Sequence, residues 1–121
     1  LYRNRHAGSG ERWAIGDLAE CSVTLEKDDL VFRAEVMDGT PSGNTDKHAP
    51  WRQDSIELFL DNAPLDFPIT NPAVYHKGVV RAFLFPHSGT FHLWNWNEQR
   101  IPDSGCRMEV HRRSNGYSLS F

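Results

Sequence analysis

The chain has 121 residues with a formal charge of −3, and 39% of them are hydrophobic and 24% charged. That is enough for one globular domain with a real core, and it is not the composition of a disordered chain. The acidic balance argues against a nucleic-acid partner, which calls for a basic excess, and no apolar run is long enough to span a membrane.

Seven Phe, four Trp and three Tyr form a large aromatic supply, which favours strands and, where exposed, binding surfaces. The sequence opens at Leu1 without an initiator Met or an apolar leader, and closes at Phe121 inside an alternating stretch. The expectation is a single domain over 1–121 excised from a longer protein. Residues 11–20 read as a short helical turn weakened by Gly16.

Cys21-Ser22-Val23-Thr24-Leu25 alternates, Lys27-Asp28-Asp29 makes a turn, and Leu30 to Val36 runs back with Leu30, Phe32, Ala34 and Val36 on one face. This predicts a β-hairpin. The thirteen residues Asp38 to Pro50 read as a loop, and loops of that length are usually functional or mobile. Ser55 to Asp61 reads as a strand with Ile56, Leu58 and Leu60 on one face and Ser55, Glu57, Phe59 and Asp61 on the other.

Residues 62–77 hold Pro64, Pro68 and Pro72 and read as an irregular connection. Further strands are expected over Gly78–Phe85, with Arg81 between Val79 and Phe83, and over Thr90–Trp96, where His92, Trp94 and Trp96 share a face. Arg107–Arg112 and Tyr117–Phe121 complete the set. Seven or so short strands with turns between them predict an all-β fold, an antiparallel β-sandwich of jelly-roll or immunoglobulin-like type.

Cys21 and Cys106 permit one disulfide by parity; two unpaired, buried thiols acting as small hydrophobes are the other reading. Neither has the spacing of a zinc ligand set. No cofactor is implied, although the loop Asp38–Asp46 offers the oxygens that calcium takes, from Asp38, Asn44 and Asp46. A solvated polar loop is the competing reading there. A catalytic carboxylate pair is not expected: Glu57 and Asp61 lie along one strand, about 13 Å apart by strand rise, not astride a cleft. The chain is therefore not expected to be an enzyme.

The most informative stretch is Pro50-Trp51-Arg52-Gln53-Asp54-Ser55-Ile56-Glu57-Leu58-Phe59-Leu60-Asp61. An indole at a loop–strand junction can pack on the C–H face of a pyranose, and carboxylate and guanidinium groups can bind its hydroxyls. Taken singly, Trp51 is an edge aromatic, Glu57 a solvated strand residue and Arg81 a cross-sheet ion-pair partner. This block resembles the Trp–x–x–Asp–Ser–Val–Glu–aliphatic–Phe–aliphatic–Asp block of carbohydrate-binding module family 9. Leu25 to Asp38, Gly78-Val79-Val80-Arg81-Ala82-Phe83 and the Gly116-Tyr117 strand fit the same order.

The resemblance implies a noncatalytic module, an accessory domain of a carbohydrate-active enzyme, secreted or at the cell surface. Its partners would be an oligosaccharide or polysaccharide and the neighbouring domains of a longer chain. Trp51 would form one wall of the sugar slot, with Glu57 and Arg81 binding hydroxyls of a terminal sugar. The family's second wall comes from a segment after the Gly-Tyr strand, which this sequence does not contain. Either the remainder was removed, or the slot is incomplete, or Trp94 or Trp96 supplies the wall. Two other functions compete. One is a structural accessory domain without sugar affinity, its Trp94/Trp96 face packed on a neighbour. The other is a haem-binding sandwich of the dopamine-monooxygenase N-terminal type, with Met37 or Met108 and a His as axial ligands.

Overall fold

A computed structural model of the protein describes residues 12–43, 53–61, 77–103 and 105–121. Within them the chain is all-β, with nine strands joined by antiparallel pairings into two sheets. Two antiparallel sheets are the components of a β-sandwich. The chain divides into two compact units, Leu1–Pro41 with Arg107–Phe121, and Ser42–Cys106.

The first unit holds a five-stranded sheet. Its strands are β1 (Arg12–Ile15), β2 (Ala19–Glu26), β3 (Asp29–Val36), β8 (Glu109–Arg113) and β9 (Gly116–Ser120), in the order β1-β2-β3-β9-β8. Register follows the hydrophobic alternation, because a slip by one residue would turn every apolar side chain to the wrong face. One row across the sheet reads Cys21, Ala34, Leu119, Val110, and Cys21, Ala34 and Leu119 are buried together with Phe32 and Tyr117. The opposite face reads Glu20, Glu35, Ser118, His111 in one row and Ser22, Arg33, Ser120, Glu109 in the next.

The predicted hairpin is β2–β3, longer at both ends than the alternating core suggests. Its two-residue connection puts Lys27 at φ 57°, a left-handed conformation that costs a non-glycine residue about 1 kcal/mol. Gly116 is required by close approach: a side chain there would collide with the carbonyl oxygen of Val36.

Residues 12–15 form a strand, not the helical turn expected. A four-residue segment is too short to nucleate a helix, and here it pairs with β2 from Arg12↔Ser22 to Ile15↔Ala19. Gly16, at φ 56°, supplies the bend between the two strands. Both cysteines are free. Cys21 is buried as expected, and burial pushes its thiol pKa up, but Cys106 is exposed rather than buried.

The second unit holds β4 (Ile56–Asp61), β5 (Val79–Phe85), β6 (Thr90–Asn95) and the two-residue β7 (Arg100–Ile101), paired in chain order. β6 ends at Asn95, so Trp96 lies in the following turn rather than in the strand. β7 is too short to show a pattern in the sequence. One face is aliphatic, with the rows Ile56, Leu84, Phe91 and Leu58, Ala82, Leu93, Ile101. Ala82, Leu84 and Leu93 are buried. The other face carries the candidate site.

Candidate functional site

Alternation and register bring two rows together on this second face: Glu57, Phe83, His92, and Phe59, Arg81, Trp94, Arg100. Glu57 and Arg81 are therefore diagonal neighbours on adjacent strands, a separation that long side chains bridge. The Nε of Arg81 lies 3.4 Å from Oε1 of Glu57. This is longer than a tight charge-assisted hydrogen bond, so the pair is an ion pair with acceptor capacity left on the carboxylate. The side chain of Arg81 is 17% exposed and that of Glu57 36%, which sets the pair at the edge of solvent. Burial raises the Glu57 pKa above its ordinary value, and the Arg81 charge only partly offsets this.

Arg81 is held from a second direction. Its Nη2 lies 3.9 Å from Oε1 of Glu98, whose side chain is 71% exposed. The guanidinium carbon sits 4.9 Å from the centroid of the Phe83 ring, a cation–π arrangement that fixes its plane. Phe83 in turn stacks on Phe85 at 6.4 Å and meets Trp94 edge-to-face at 6.4 Å. His92 completes the row, packing edge-on to Phe85 at 5.1 Å. Burial, and then the charge of Arg100, lower the His92 pKa, with Asp103 acting in the opposite sense.

The indole N–H of Trp94 is buried without a hydrogen-bond partner. An unmet donor of this kind costs about 1–3 kcal/mol.

Glu98 reaches Arg81 because of the turn between β6 and β7. Asn95 laces that turn: its backbone N–H donates to the Gln99 carbonyl, and its own carbonyl accepts from the Glu98 N–H. Its side-chain Oδ1 accepts from the backbone N–H groups of Asn97 and Gln99. Glu98 has φ 56°, the left-handed position of a three-residue hairpin loop, which glycine usually takes. Periodicity could not have revealed Glu98, since it acts from a turn; only the Asn at the head of a short polar stretch marks the turn.

Of the residues singled out in the sequence, Glu57, Arg81 and Trp94 share this face, and Trp96 is an exposed side chain in the turn that carries Glu98. Trp51, Asn44 and Asp46 lie outside the described residues. Asp38 accepts a hydrogen bond from the backbone N–H of Thr40 through Oδ1 at 2.9 Å, the geometry of an Asx turn. Asp54, from the motif, is engaged in local structure. Its Oδ2 accepts from the backbone N–H and the hydroxyl of Ser42 at 2.7 and 2.9 Å, and its own N–H donates to the Ser42 carbonyl. That clamp ties the loop at 41–43 to the residues just before β4. Met37 is exposed and Met108 half-buried, and no cluster of metal-ligating side chains occurs among the described residues.

The arrangement can recognise a neutral polar ligand. It offers a guanidinium, a carboxylate acceptor and the exposed ring of Phe59 on one sheet, with Phe83 and Phe85 buried beneath. No family model, no curated protein and no solved structure matches this chain.

Proposed function

We propose that the chain is a noncatalytic carbohydrate-binding module, recognising a terminal sugar on the face of β4, β5 and β6. The observation that carries this reading is the Glu57–Arg81 pair, its guanidinium largely shielded and its carboxylate at the edge of solvent, on a strand face shared with Phe59, Phe83, Phe85, His92, Trp94 and Arg100. A pyranose needs both donors and acceptors for its hydroxyls, because each hydroxyl does both. Arg81 supplies donors, and Glu57 keeps acceptor positions that its 3.4 Å contact with Arg81 does not consume. The exposed ring of Phe59, opposite Arg81 in register, suits the C–H face of the sugar ring. The similarity of the Trp51–Asp61 block to carbohydrate-binding module family 9 supports the same reading, with Trp51 stacking on the sugar.

Titration of the protein with glucose, galactose, mannose, xylose and their oligomers, followed by Trp fluorescence, tests it. Saturable binding is expected. Glu57→Gln weakens it by roughly ten- to a hundredfold, the range for losing a charge-assisted hydrogen bond of about 1.5–3 kcal/mol. Trp51→Ala abolishes it with the fold intact. A flat titration with every sugar overturns the reading.

A further inference from the structure

The turn between β6 and β7 closes a three-residue loop whose last position must take positive φ. Glycine fills such a position without strain, and Asn tolerates it. This chain puts Glu98 there, at φ 56°. A glutamate in that conformation is disfavoured, and backbone strain of this sort persists where the surroundings enforce it, often at binding sites. Here the surroundings are the five Asn95 hydrogen bonds that lace the loop, including a long one from its Nδ2 to Oε1 of Gln99.

The strained position delivers one thing that glycine could not, a carboxylate 3.9 Å from Arg81. Glu57 approaches the same guanidinium through Nε, from the neighbouring strand β4, and Glu98 through Nη2, from the turn. An ion pair that is 71% exposed at one partner adds little to stability, so stability does not account for a glutamate at this position. Trp96, an exposed aromatic side chain, lies two residues earlier in the same turn. The exposed Glu98 carboxylate has oxygens open to solvent and to any ligand seated over Arg81.

We infer that Glu98 is a second saccharide-contacting carboxylate, meeting Arg81 at the nitrogen next to the one that faces Glu57, and that the turn keeps a strained backbone in order to hold it there. This rests on the sugar-binding reading above and extends it. With two carboxylates beside one guanidinium edge, the site can accept from two neighbouring hydroxyls of one sugar ring, each donating to a different glutamate.

The test uses Glu98→Gly, Glu98→Gln and Glu57→Gln in the whole chain, with thermal unfolding and titration by the same sugars as readouts. Glu98→Gly is expected to raise the melting temperature by about 2–5 °C, as relief of strain does in a domain of this size, while weakening sugar binding roughly tenfold. Glu98→Gln is expected to weaken binding with the melting temperature unchanged. If Glu98→Gly lowers the melting temperature, the residue serves the fold and the inference fails. If the parent and both Glu98 variants bind equally while Glu57→Gln loses affinity, the inference fails and the sugar-binding reading stands. If no sugar binds the parent, both fall together.

Discussion

The two sheets have the same construction on one face and opposite chemistry on the other. Each has a largely aliphatic face with a buried centre, Cys21, Ala34 and Leu119 in one and Ala82, Leu84 and Leu93 in the other. The second face of the five-stranded sheet is a ladder of exposed ion pairs: Arg12–Glu20 at 3.0 Å, Arg33–Glu26 at 2.6 Å and Arg113–Glu35 at 3.0 Å. Arg33 grips Glu26 through both guanidinium nitrogens and also donates to Thr24, and these bonds hold the Glu26 carboxyl below its usual pKa. Such a face is at rest in water, its charges satisfied by one another and by solvent. The second face of the four-stranded sheet holds a looser Arg81–Glu57 pair among aromatic rings, a raised carboxyl, a lowered imidazole and an unmet indole N–H. A tight salt bridge in solvent marks a finished surface. The pair at the solvent edge is longer and lies on the same face as one buried indole N–H without a hydrogen-bond partner.

The sharpest way to break this contrast is to truncate one side chain on each of the two faces. Phe83→Ala removes a buried ring that contacts Arg81, Phe85 and Trp94, and its expected cost is about 3–5 kcal/mol in denaturant unfolding. Arg33→Ala, despite the shorter ion pair, is expected to cost under about 1 kcal/mol. Equal costs would erase the distinction drawn here. Next in size is Arg81→Met, which leaves Glu57, at the edge of solvent, without its counter-charge. It is expected to destabilise by about 1–3 kcal/mol, and to raise the pKa of Glu57 further, read by NMR titration of its carboxyl carbon.

The pH dependence sharpens the same comparison. His92 has a folded pKa lowered below 6.5, so the folded state binds fewer protons than the unfolded one as pH falls through that range. The stability linked to this group is present above pH 6.5 and is lost as pH drops through the folded value. The His92 contribution therefore lowers the melting temperature at pH 5 relative to pH 7, while the raised Glu57 carboxyl acts in the opposite sense. His92→Gln should abolish that contribution, and an unchanged slope would remove His92 from the account. The smallest effect is at the β2–β3 turn. Lys27→Gly relieves positive φ at an exposed position and is expected to stabilise by up to about 1 kcal/mol.

The β2–β3 hairpin and the two faces of β4 are legible in the sequence because they depend on alternation over a single strand. Glu57 and Arg81 can each be read as polar residues off the aliphatic stripe. Their meeting cannot, because it depends on the register Phe59↔Arg81 between strands whose chain positions lie far apart. Segments too short to carry a period hide in the same way: Arg12–Ile15 passes for a helical turn, and β7 passes for loop. Glu98 is the least legible of all, since its place at the site comes from a backbone conformation that its residue type disfavours. Asp54 shows the reverse, a motif carboxylate whose hydrogen bonds go to Ser42 and which therefore organises the entry to β4.

The most direct measurement is sugar titration of isotopically labelled protein, followed through backbone amides and Trp indole N–H signals. The account predicts saturable shifts at Glu57, Arg81, Glu98 and the Trp94 indole, with the amides of Glu26, Arg33 and Glu35 unmoved. Shifts confined to the ladder residues, or none at any sugar concentration, would contradict it.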